Sequence, residues 1–290
     1  MRVLVTIPHF FNPQGGGKYG SLSSDPLPRI SALSQCLQAL HGTYSRSGLW
    51  YRYTDKLYTF PANEATSVDI DVIICTTKNF HLLDRLPVPK EYYKHYPTHP
   101  HDPLFLGFEC HALLRDCLGN YDYYCYLEDD LILDDPQFFT KLAWFNSHVG
   151  DQAVLQPNRY ELVTKDTIKK VYIDPDLILK TGRARQFAHY QAENSTLTGM
   201  VMGQPILFKW AENPHSGCFF LNHRQMEYWA KQDYFLDRES RFFGPLESAA
   251  TLGLMRTFRV YKPARKNASF LEIKHFGDAW SQKIYYSIFF

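Results

Sequence analysis

Short runs of apolar residues, many of them β-branched or aromatic, alternate with amphipathic segments along the first half of the chain. The continuous apolar runs at residues 3–7, 72–75 and 123–127 are typical of strands buried on both faces of a parallel sheet. Between them, apolar side chains recur at helical spacing over residues 30–40 and again over residues 108–118. This alternation predicts an α/β domain with a largely parallel sheet that is flanked by helices.

The second half of the chain has shorter and less regular patterns. They predict strands at residues 153–156, 217–221, 259–261 and 270–273, and helices at residues 225–230 and 246–255. No repeat, disordered linker or low-complexity segment divides the sequence. We therefore expect a single domain over residues 1–290.

The proline-rich segment 87–103 contains several histidines. Proline disfavours both helix interiors and central strands, so the segment is predicted to be an extended surface loop. We expect its histidines to be neutral surface side chains rather than metal ligands: His95, His99 and His101.

Composition excludes several classes of partner. A net charge of +1 gives no basic excess for nucleic acid or an anionic membrane. No segment approaches the ~20 consecutive apolar residues that a membrane span requires, and the N-terminus shows no signal-peptide pattern. The cysteines form no C-x-x-C pair and several lie in apolar runs, which favours free thiols in a reducing compartment. We expect a cytoplasmic protein.

The apolar run at residues 123–127 ends abruptly in three adjacent carboxylates, Glu128, Asp129 and Asp130. Adjacent like charges repel each other, and no fold requires them at this position. In open α/β sheets, ligands bind beyond the carboxyl ends of the strands, which is where this triplet lies. Carboxylate sites for Mg²⁺ or Mn²⁺ use one or two such groups and leave positions for substrate phosphates. The triplet therefore predicts a divalent metal site.

The segment YCYLEDDLIL resembles the acidic D-x-D motif of glycosyltransferases of the GT-A fold. The resemblance implies a Rossmann-like GT-A domain with a nucleotide-sugar-binding half over residues 1–135 and an acceptor-binding half over residues 136–290. It also implies that Asp130 ligates Mn²⁺ or Mg²⁺ on the diphosphate of a nucleoside-diphosphate sugar. Glu128 would then face the ribose or reach the metal through water, and Asp129 would support both neighbours.

Three later segments resemble further parts of GT-A enzymes in the same order. NPHSGCFFL, which contains Gly217, resembles the strand that shapes the donor-sugar and acceptor pocket. GPLESAA resembles the helix start at which inverting members place the catalytic base, here Glu247. IKHFG resembles the segment that supplies a histidine ligand to the metal, here His275.

Alternatives to these roles stay open. An acidic residue at position 247 also suits the dipole of a helix start, and His275 also suits a hydrogen-bonded core position. Asp237 and Glu239 are rival candidates for the base. A retaining mechanism, in which Glu247 has another role, is also compatible with the sequence.

Two segments that follow predicted strands are weaker candidates for nucleotide contacts. Residues 15–17 are three glycines followed by Lys18, but they match neither G-x-G-x-x-G nor a P-loop, so a flexible loop is the default. Asn79 follows the second strand and could contact the base or the ribose. Trp210 and Trp280 could stack on a sugar, although core packing is the expected role of both.

The resemblance thus implies a Mn²⁺- or Mg²⁺-dependent glycosyltransferase, inverting, that moves a sugar from a nucleotide-sugar donor to a carbohydrate or other hydroxyl acceptor. A sugar-phosphate nucleotidyltransferase is the nearest alternative enzyme, although the loop HFFNPQGGGKYGS matches the signature of that class poorly. A non-catalytic nucleotide- or carbohydrate-binding module on the same fold is the alternative from another class.

Overall fold

The computed structural model describes residues 1–16, 20–44, 48–54, 56–64, 68–163, 168–174, 183–191 and 195–283. The strands are β1 (Arg2–Pro8), β2 (Leu49–Tyr53), β3 (Leu57–Pro61), β4 (Asp69–Thr77), β5 (Lys94–Thr98), β6 (Tyr123–Leu127), β7 (Leu131–Ile132), β8 (Ala153–Leu155), β9 (Asn158–Leu162), β10 (Lys170–Tyr172), β11 (Thr196–Val201), β12 (Gln204–Trp210), β13 (Cys218–Asn222), β14 (Arg259–Pro263) and β15 (Glu272–His275).

The α-helices are α1 (Leu27–Tyr44), α2 (Leu106–Asp116), α3 (Phe138–Val149), α4 (His223–Ala230) and α5 (Pro245–Thr257). Short 3-10 helices lie at Gly20–Leu22, Leu83–Arg85, Lys90–Tyr92, Pro103–Phe105, Arg183–Gln191 and Arg265–Phe270.

The central sheet has the strand order β13-β6-β1-β4-β5. Its strands β6, β1, β4 and β5 run parallel, and β13 is antiparallel to β6. The apolar runs of the first half are therefore confirmed as strands of a mixed, mostly parallel sheet. Because β13 comes from the second half of the chain, the two halves share this sheet.

Helices cover both faces of the central sheet. Successive side chains of β1 point to opposite faces, so β1 packs against a helix on each side. Val3 and Val5 pack in the same apolar cluster as Leu37 of α1. Leu4 packs in a second cluster with Leu114 of α2. This two-sided burial confirms the predicted flanking helices and explains why β1 reads as a continuous apolar run rather than an alternating one.

Smaller sheets complete the second half, with strand orders β10-β9-β15-β7 and β11-β12-β14-β8. The predicted strands and helices there are confirmed, except that the last strand begins later, at Glu272, because Arg265–Phe270 forms a 3-10 helix. β15 pairs with β7, which follows the acidic triplet directly, and this register places His275 opposite Leu131. The late histidine is thereby brought next to Asp130.

The expectation of a loop over residues 87–103 is wrong for its central part. Lys94–Thr98 forms β5 and pairs in parallel with β4, and Thr98 Oγ1 donates to Thr76 O. Pro97 is tolerated because β5 ends the sheet order and need not donate from every residue. The three histidines of this segment are exposed, as expected. The hairpin formed by β2 and β3 was not predicted.

None of the helices in the described ranges is long and apolar enough to cross a bilayer. All six cysteines lie within these ranges and are free, and Cys117 is partly exposed while the others are buried. The prediction of free thiols is confirmed.

Truncating Phe219 of β13 should destabilise the fold strongly. Its side chain is fully buried, with its ring 5.5 Å from that of Tyr126 and 5.4 Å from that of Trp229. We expect Phe219→Ala to lower the free energy of unfolding by about 3–5 kcal/mol. Tyr53→Ala, at a side chain that is 82% exposed, is the control and should change it by less than about 0.5 kcal/mol. Equal urea midpoints for the two variants would contradict the packing described.

Candidate active site

A cleft of about 960 Å³ opens at the carboxyl ends of β1 and β6. Its lining includes residues 20–23, Asp25, two residues from the first turn of α1 (Pro28 and Arg29), and residues 275–280. The structure brings five of the predicted residues into its lining, namely Glu128, Asp129, Asp130, Glu247 and His275. Glu247 and His275 are far from the triplet in the sequence, so their convergence with it is a result of the fold and not of any single motif.

Backbone hydrogen bonds hold the acidic triplet in a turn after β6. Glu128 N donates to Gly217 O at 3.0 Å, and Leu131 N donates to Glu128 O at 3.1 Å. Phe276 N donates to Asp130 O at 2.8 Å. The segments that contain Gly217 and His275 are therefore tied directly to the triplet.

Asp129 is buried and has a partner on each carboxylate oxygen. Leu82 N donates to His9 Nε2 at 3.1 Å, so this nitrogen carries no proton and His9 Nδ1 donates to Asp129 Oδ2 at 2.6 Å. Arg29 Nη1 lies 2.8 Å from Asp129 Oδ1. With both oxygens engaged, Asp129 anchors the turn and positions its neighbours, and sequence reasoning missed both of its partners.

Asp130 has one engaged and one open oxygen. Its Oδ2 accepts from Arg29 Nη1 at 3.1 Å and lies 3.8 Å from His275 Nε2. Its Oδ1 is buried and has no hydrogen-bond partner among the described residues. Burial by itself would raise the pKa of Asp130, but Arg29 and His275 outweigh it and hold the pKa below its ordinary value. Asp130 is therefore a carboxylate with one buried oxygen that no described residue engages.

Glu128 differs from Asp130 in its electrostatic environment. Burial, together with the nearby charges of Asp130 and Glu247, raises the pKa of Glu128 to about 7, although Arg159 acts in the opposite direction. Its Oε2 lies 3.8 Å from Arg159 Nη1. The two outer carboxylates of the triplet thus have pKa values shifted in opposite directions.

Arg159 belongs to a buried charge cluster beside the cleft. Its Nε and Nη2 donate to Asp174 Oδ1 at 3.0 and 2.8 Å, and Lys262 Nζ donates to Asp174 Oδ2 at 3.1 Å. Burial would raise the pKa of Asp174, but Arg159 and Lys262 outweigh it and hold the pKa well below its ordinary value. The cluster keeps Arg159 Nη1 directed at Glu128, and no sequence motif pointed to it.

Glu247 lies in the first turn of α5, whose first residue is Pro245. Its carboxylate lines the cleft. The rival candidates are engaged elsewhere, since Asp237 pairs with Arg256 and Glu239 pairs with Arg241, and neither lines the described part of the cleft. Of the three candidate bases, the structure places Glu247 beside the triplet.

Other candidates fall outside the cleft or behave differently from expectation. Asn79 is exposed in the turn after β4 and is not part of the described cleft lining. Gly17 and Lys18 of the glycine-rich loop lie outside the described residues. Trp210 is buried in the core as expected. Core packing was the wrong expectation for Trp280, which is 45% exposed and lines the cleft.

The donor set beside the triplet fits a divalent ion that also binds phosphate. The two candidate ligand atoms are Asp130 Oδ1, an oxygen without a hydrogen-bond partner in the described part of the chain, and Nε2 of the nearby His275. One oxygen and one nitrogen ligand together suit Mn²⁺. Within the described ranges, no group of three or more His, Cys, Asp or Glu side chains is arranged to hold a metal. An ion at this position therefore needs ligands from substrate phosphates, as Mg²⁺ and Mn²⁺ sites commonly do.

Comparisons with known proteins add a distant likeness of fold. No family model and no curated protein matches the sequence. Among solved structures, a CMP-2-keto-3-deoxy-manno-octonic acid synthetase complexed with CTP has 11% identity and a TM-score of 0.36, covering 90% of this chain and 89% of that chain.

Two structures of S. aureus TarS are also similar. One has 9% identity and a TM-score of 0.43, covering 96% of this chain and 37% of that one. The other, TarS 1-349 in complex with UDP-GlcNAc, has 8% identity and a TM-score of 0.41, covering 94% and 58%. This chain thus spans less than two thirds of either TarS chain. At these identities and TM-scores, the likeness supports no conclusion about activity, which has to be argued from the site.

Replacing Gly217 should disturb both the backbone and Glu128. Gly217 has φ +63°, and an added Cβ would lie 2.4 Å from Glu128 Oε2. We expect Gly217→Ala to lower the free energy of unfolding by about 1–3 kcal/mol. The control is Gly42→Ala in α1, where an added Cβ meets no atom within 4 Å. This substitution should stabilise the helix by about 0.5–1 kcal/mol. A Gly217→Ala protein as stable as wild type in urea would refute this account.

Neutralising Asp174 should leave two buried cations without their partner. We expect Asp174→Asn to cost about 3–5 kcal/mol of unfolding free energy at neutral pH. Because the folded-state pKa is depressed, the carboxylate contributes stability above its ordinary pKa of 3.8, and this contribution is lost as the pH falls. The difference between wild type and variant should therefore narrow in acid.

The measurement for Asp174→Asn is urea unfolding across a pH series. Asp84→Asn is the matched control, because Asp84 is 91% exposed and only pairs with Lys90 at the surface, so it should be nearly neutral. A pH-independent difference between Asp174→Asn and wild type would contradict the proposed linkage.

Proposed function

We propose that the chain is a glycosyltransferase that moves a sugar from a nucleoside-diphosphate sugar to an acceptor hydroxyl, with Mn²⁺ or Mg²⁺ and with inversion. The observation that carries the proposal is the convergence of Asp130, His275 and Glu247 in one cleft. The cleft therefore offers two potential metal ligands and a carboxylate base at the carboxyl edge of a mostly parallel sheet.

The donor diphosphate would bind between the triplet and α1. Asp130 Oδ1 and His275 Nε2 would hold the ion, which when bound supplies Lewis-acid stabilisation of the nucleoside-diphosphate leaving group. Arg29, in the first turn of α1, lines the same cleft and adds a positive charge, and helix N-termini favour phosphate. We assign nucleotide-sugar binding mainly to residues 1–135 on this basis, with Glu128 and Asp129 completing the donor side.

Glu247 would take the proton of the acceptor hydroxyl as that oxygen attacks the anomeric carbon. The N-terminus of α5 favours a negative charge at this position, which suits a base that must be ionised before it reacts. Trp280 offers an exposed aromatic surface in the same cleft, which suits the apolar face of a sugar ring. The acceptor is accordingly assigned to residues 136–290.

A sugar-phosphate nucleotidyltransferase is the second candidate. That class is expected to carry a glycine- and arginine-bearing signature directly after the first strand, and here an arginine further along, in α1, reaches the triplet. Arg29 Nη1 contacts both Asp129 and Asp130. That reaction attacks the α-phosphate of a nucleoside triphosphate and releases pyrophosphate. Glycosyl transfer instead releases a nucleoside diphosphate, so the two products separate the hypotheses.

The function is tested by incubating the protein with a panel of nucleotide sugars, acceptors and nucleoside triphosphates, each with Mn²⁺, with Mg²⁺ or with a chelator. Mass spectrometry identifies the released nucleotide, and NMR assigns the anomeric configuration of any product. We expect nucleoside-diphosphate release that a chelator abolishes. Pyrophosphate release would favour the nucleotidyltransferase, and metal-dependent nucleotide binding without turnover would favour a non-catalytic module.

Substitutions then test the roles within the cleft. We expect Glu247→Gln to lower turnover by about 10²–10⁴-fold, because the amide cannot accept the proton. Asp130→Asn should weaken activation by Mn²⁺, because it removes a charged ligand. Glu239→Gln and Asp237→Asn serve as controls, since both side chains are paired with arginines elsewhere. Loss of turnover in Glu239→Gln with full turnover in Glu247→Gln would transfer the role of base to Glu239.

A further inference from the structure

A buried carboxylate, Glu161, lies behind His275 on β9. Its side chain is fully buried, and His275 Nδ1 lies 2.8 Å from its Oε1. Ser281 N donates to its Oε2 at 2.7 Å, and Trp280 N donates to the same oxygen at 3.1 Å. One carboxylate thus contacts both the histidine beside Asp130 and the backbone of the segment that carries Trp280.

The protonation of His275 follows from this arrangement. The backbone N–H of Trp280 donates to both oxygens of Glu161, at 3.3 and 3.1 Å, and that of Ser281 donates to Oε2, which is the environment of an ionised carboxylate. An ionised carboxylate can only accept, so His275 Nδ1 carries the proton and donates. In the neutral ring, Nε2 is then unprotonated, and this is the nitrogen 3.8 Å from Asp130 Oδ2.

We propose that Glu161 is a positioning residue that fixes His275 in the Nδ1–H tautomer, with Nε2 presented toward Asp130, and that anchors the Trp280 segment as a wall of the cleft. The inference rests on the proposed role of His275 as a metal ligand. Carboxylates behind ligating histidines fix ring orientation and tautomer in this way. Here the same carboxylate also accepts hydrogen bonds from two backbone N–H groups. The orientation of the histidine and the position of the Trp280 segment therefore depend on one side chain.

In the isosteric variant Glu161→Gln, the side chain can no longer accept both from His275 and from the backbone N–H groups of the Trp280 segment. An amide has one accepting oxygen and one donating nitrogen. We expect the oxygen to face the N–H groups of Trp280 and Ser281. The amide nitrogen then faces His275 Nδ1, which has to become an acceptor, and the proton moves to Nε2. The variant should therefore switch the tautomer and remove the free nitrogen beside Asp130.

The tautomer is read from the ring ¹⁵N shifts of His275 by NMR, at alkaline pH. Alkaline pH is used because only the neutral imidazole ring has distinct tautomers. We expect Nδ1–H in the wild type and Nε2–H in Glu161→Gln. Binding of Mn²⁺ in the presence of inorganic pyrophosphate, which supplies phosphate ligands to the ion, is followed by the electron paramagnetic resonance signal of Mn²⁺ and should weaken by about 10–100-fold in the variant.

Glu272→Gln is the matched control. Glu272 lies on the neighbouring strand β15 and binds Lys170 and Tyr172 outside the cleft, so the same chemical change should leave the His275 tautomer and Mn²⁺ binding as in the wild type. The backbone amide signals of Trp280 and Ser281 report on the wall independently.

Two results would overturn the proposal. One is an Nε2–H tautomer in the wild-type protein, a measurement that needs no variant to fold. The other is a Glu161→Gln protein with the wild-type tautomer and unchanged amide signals of Trp280 and Ser281. A Glu161→Gln protein with the wild-type tautomer but displaced amide signals of Trp280 and Ser281 supports the proposal. In that case the amide oxygen still accepts from His275 Nδ1, and the hydrogen bonds from the two backbone N–H groups are lost. None of these NMR results requires a donor or turnover, so they stand or fall separately from the glycosyltransferase assignment.

Discussion

The repulsion among Glu128, Asp129 and Asp130 at the end of a buried strand is the constraint that organises this molecule. Each carboxylate has a different set of cationic or hydrogen-bonding partners, and these partners lie far from the triplet in the sequence. Asp129 is held by His9 and Arg29, Asp130 lies between Arg29 and His275, and Glu128 faces Arg159. The turn after β6 is therefore stabilised by contacts from α1, β9 and β15 and from the residue that follows β1.

How much of this could be predicted depends on whether the determinant is local. β1, β4 and β6 were predictable because burial on both faces requires a continuous apolar run in the sequence itself. β5 was missed because Pro97 argues against a strand locally, while the sheet edge that tolerates it is a property of the assembled fold. The hairpin β2–β3 was missed for a related reason, since its apolar side chains are exposed and give no buried face to detect.

The same distinction applies to the site. Glu128, Asp130, Glu247 and His275 could be singled out because each lies in a short segment with a recognisable pattern. Their partners could not, because Arg29, Arg159 and Glu161 are ordinary charged residues of a helix and a strand in the sequence. Only the register of β15 against β7 and β9 shows that Glu161 and Asp130 flank the same histidine. Charge pairing over long sequence separations is fixed by topology, and no local motif encodes it.

The charge balance of the cleft bears on what it can bind. Arg29 offsets one carboxylate of the triplet, and the cluster of Arg159, Lys262 and Asp174 contributes a single net positive charge. Negative charge therefore remains at the triplet, and Glu247 adds to it. A diphosphate alone would be repelled by this excess, whereas a divalent ion bound with it would offset the charge of the diphosphate and remove most of this repulsion. The open Oδ1 of Asp130 is where such an ion would reduce the repulsion most, because Arg29 already engages the other oxygen of the same carboxylate.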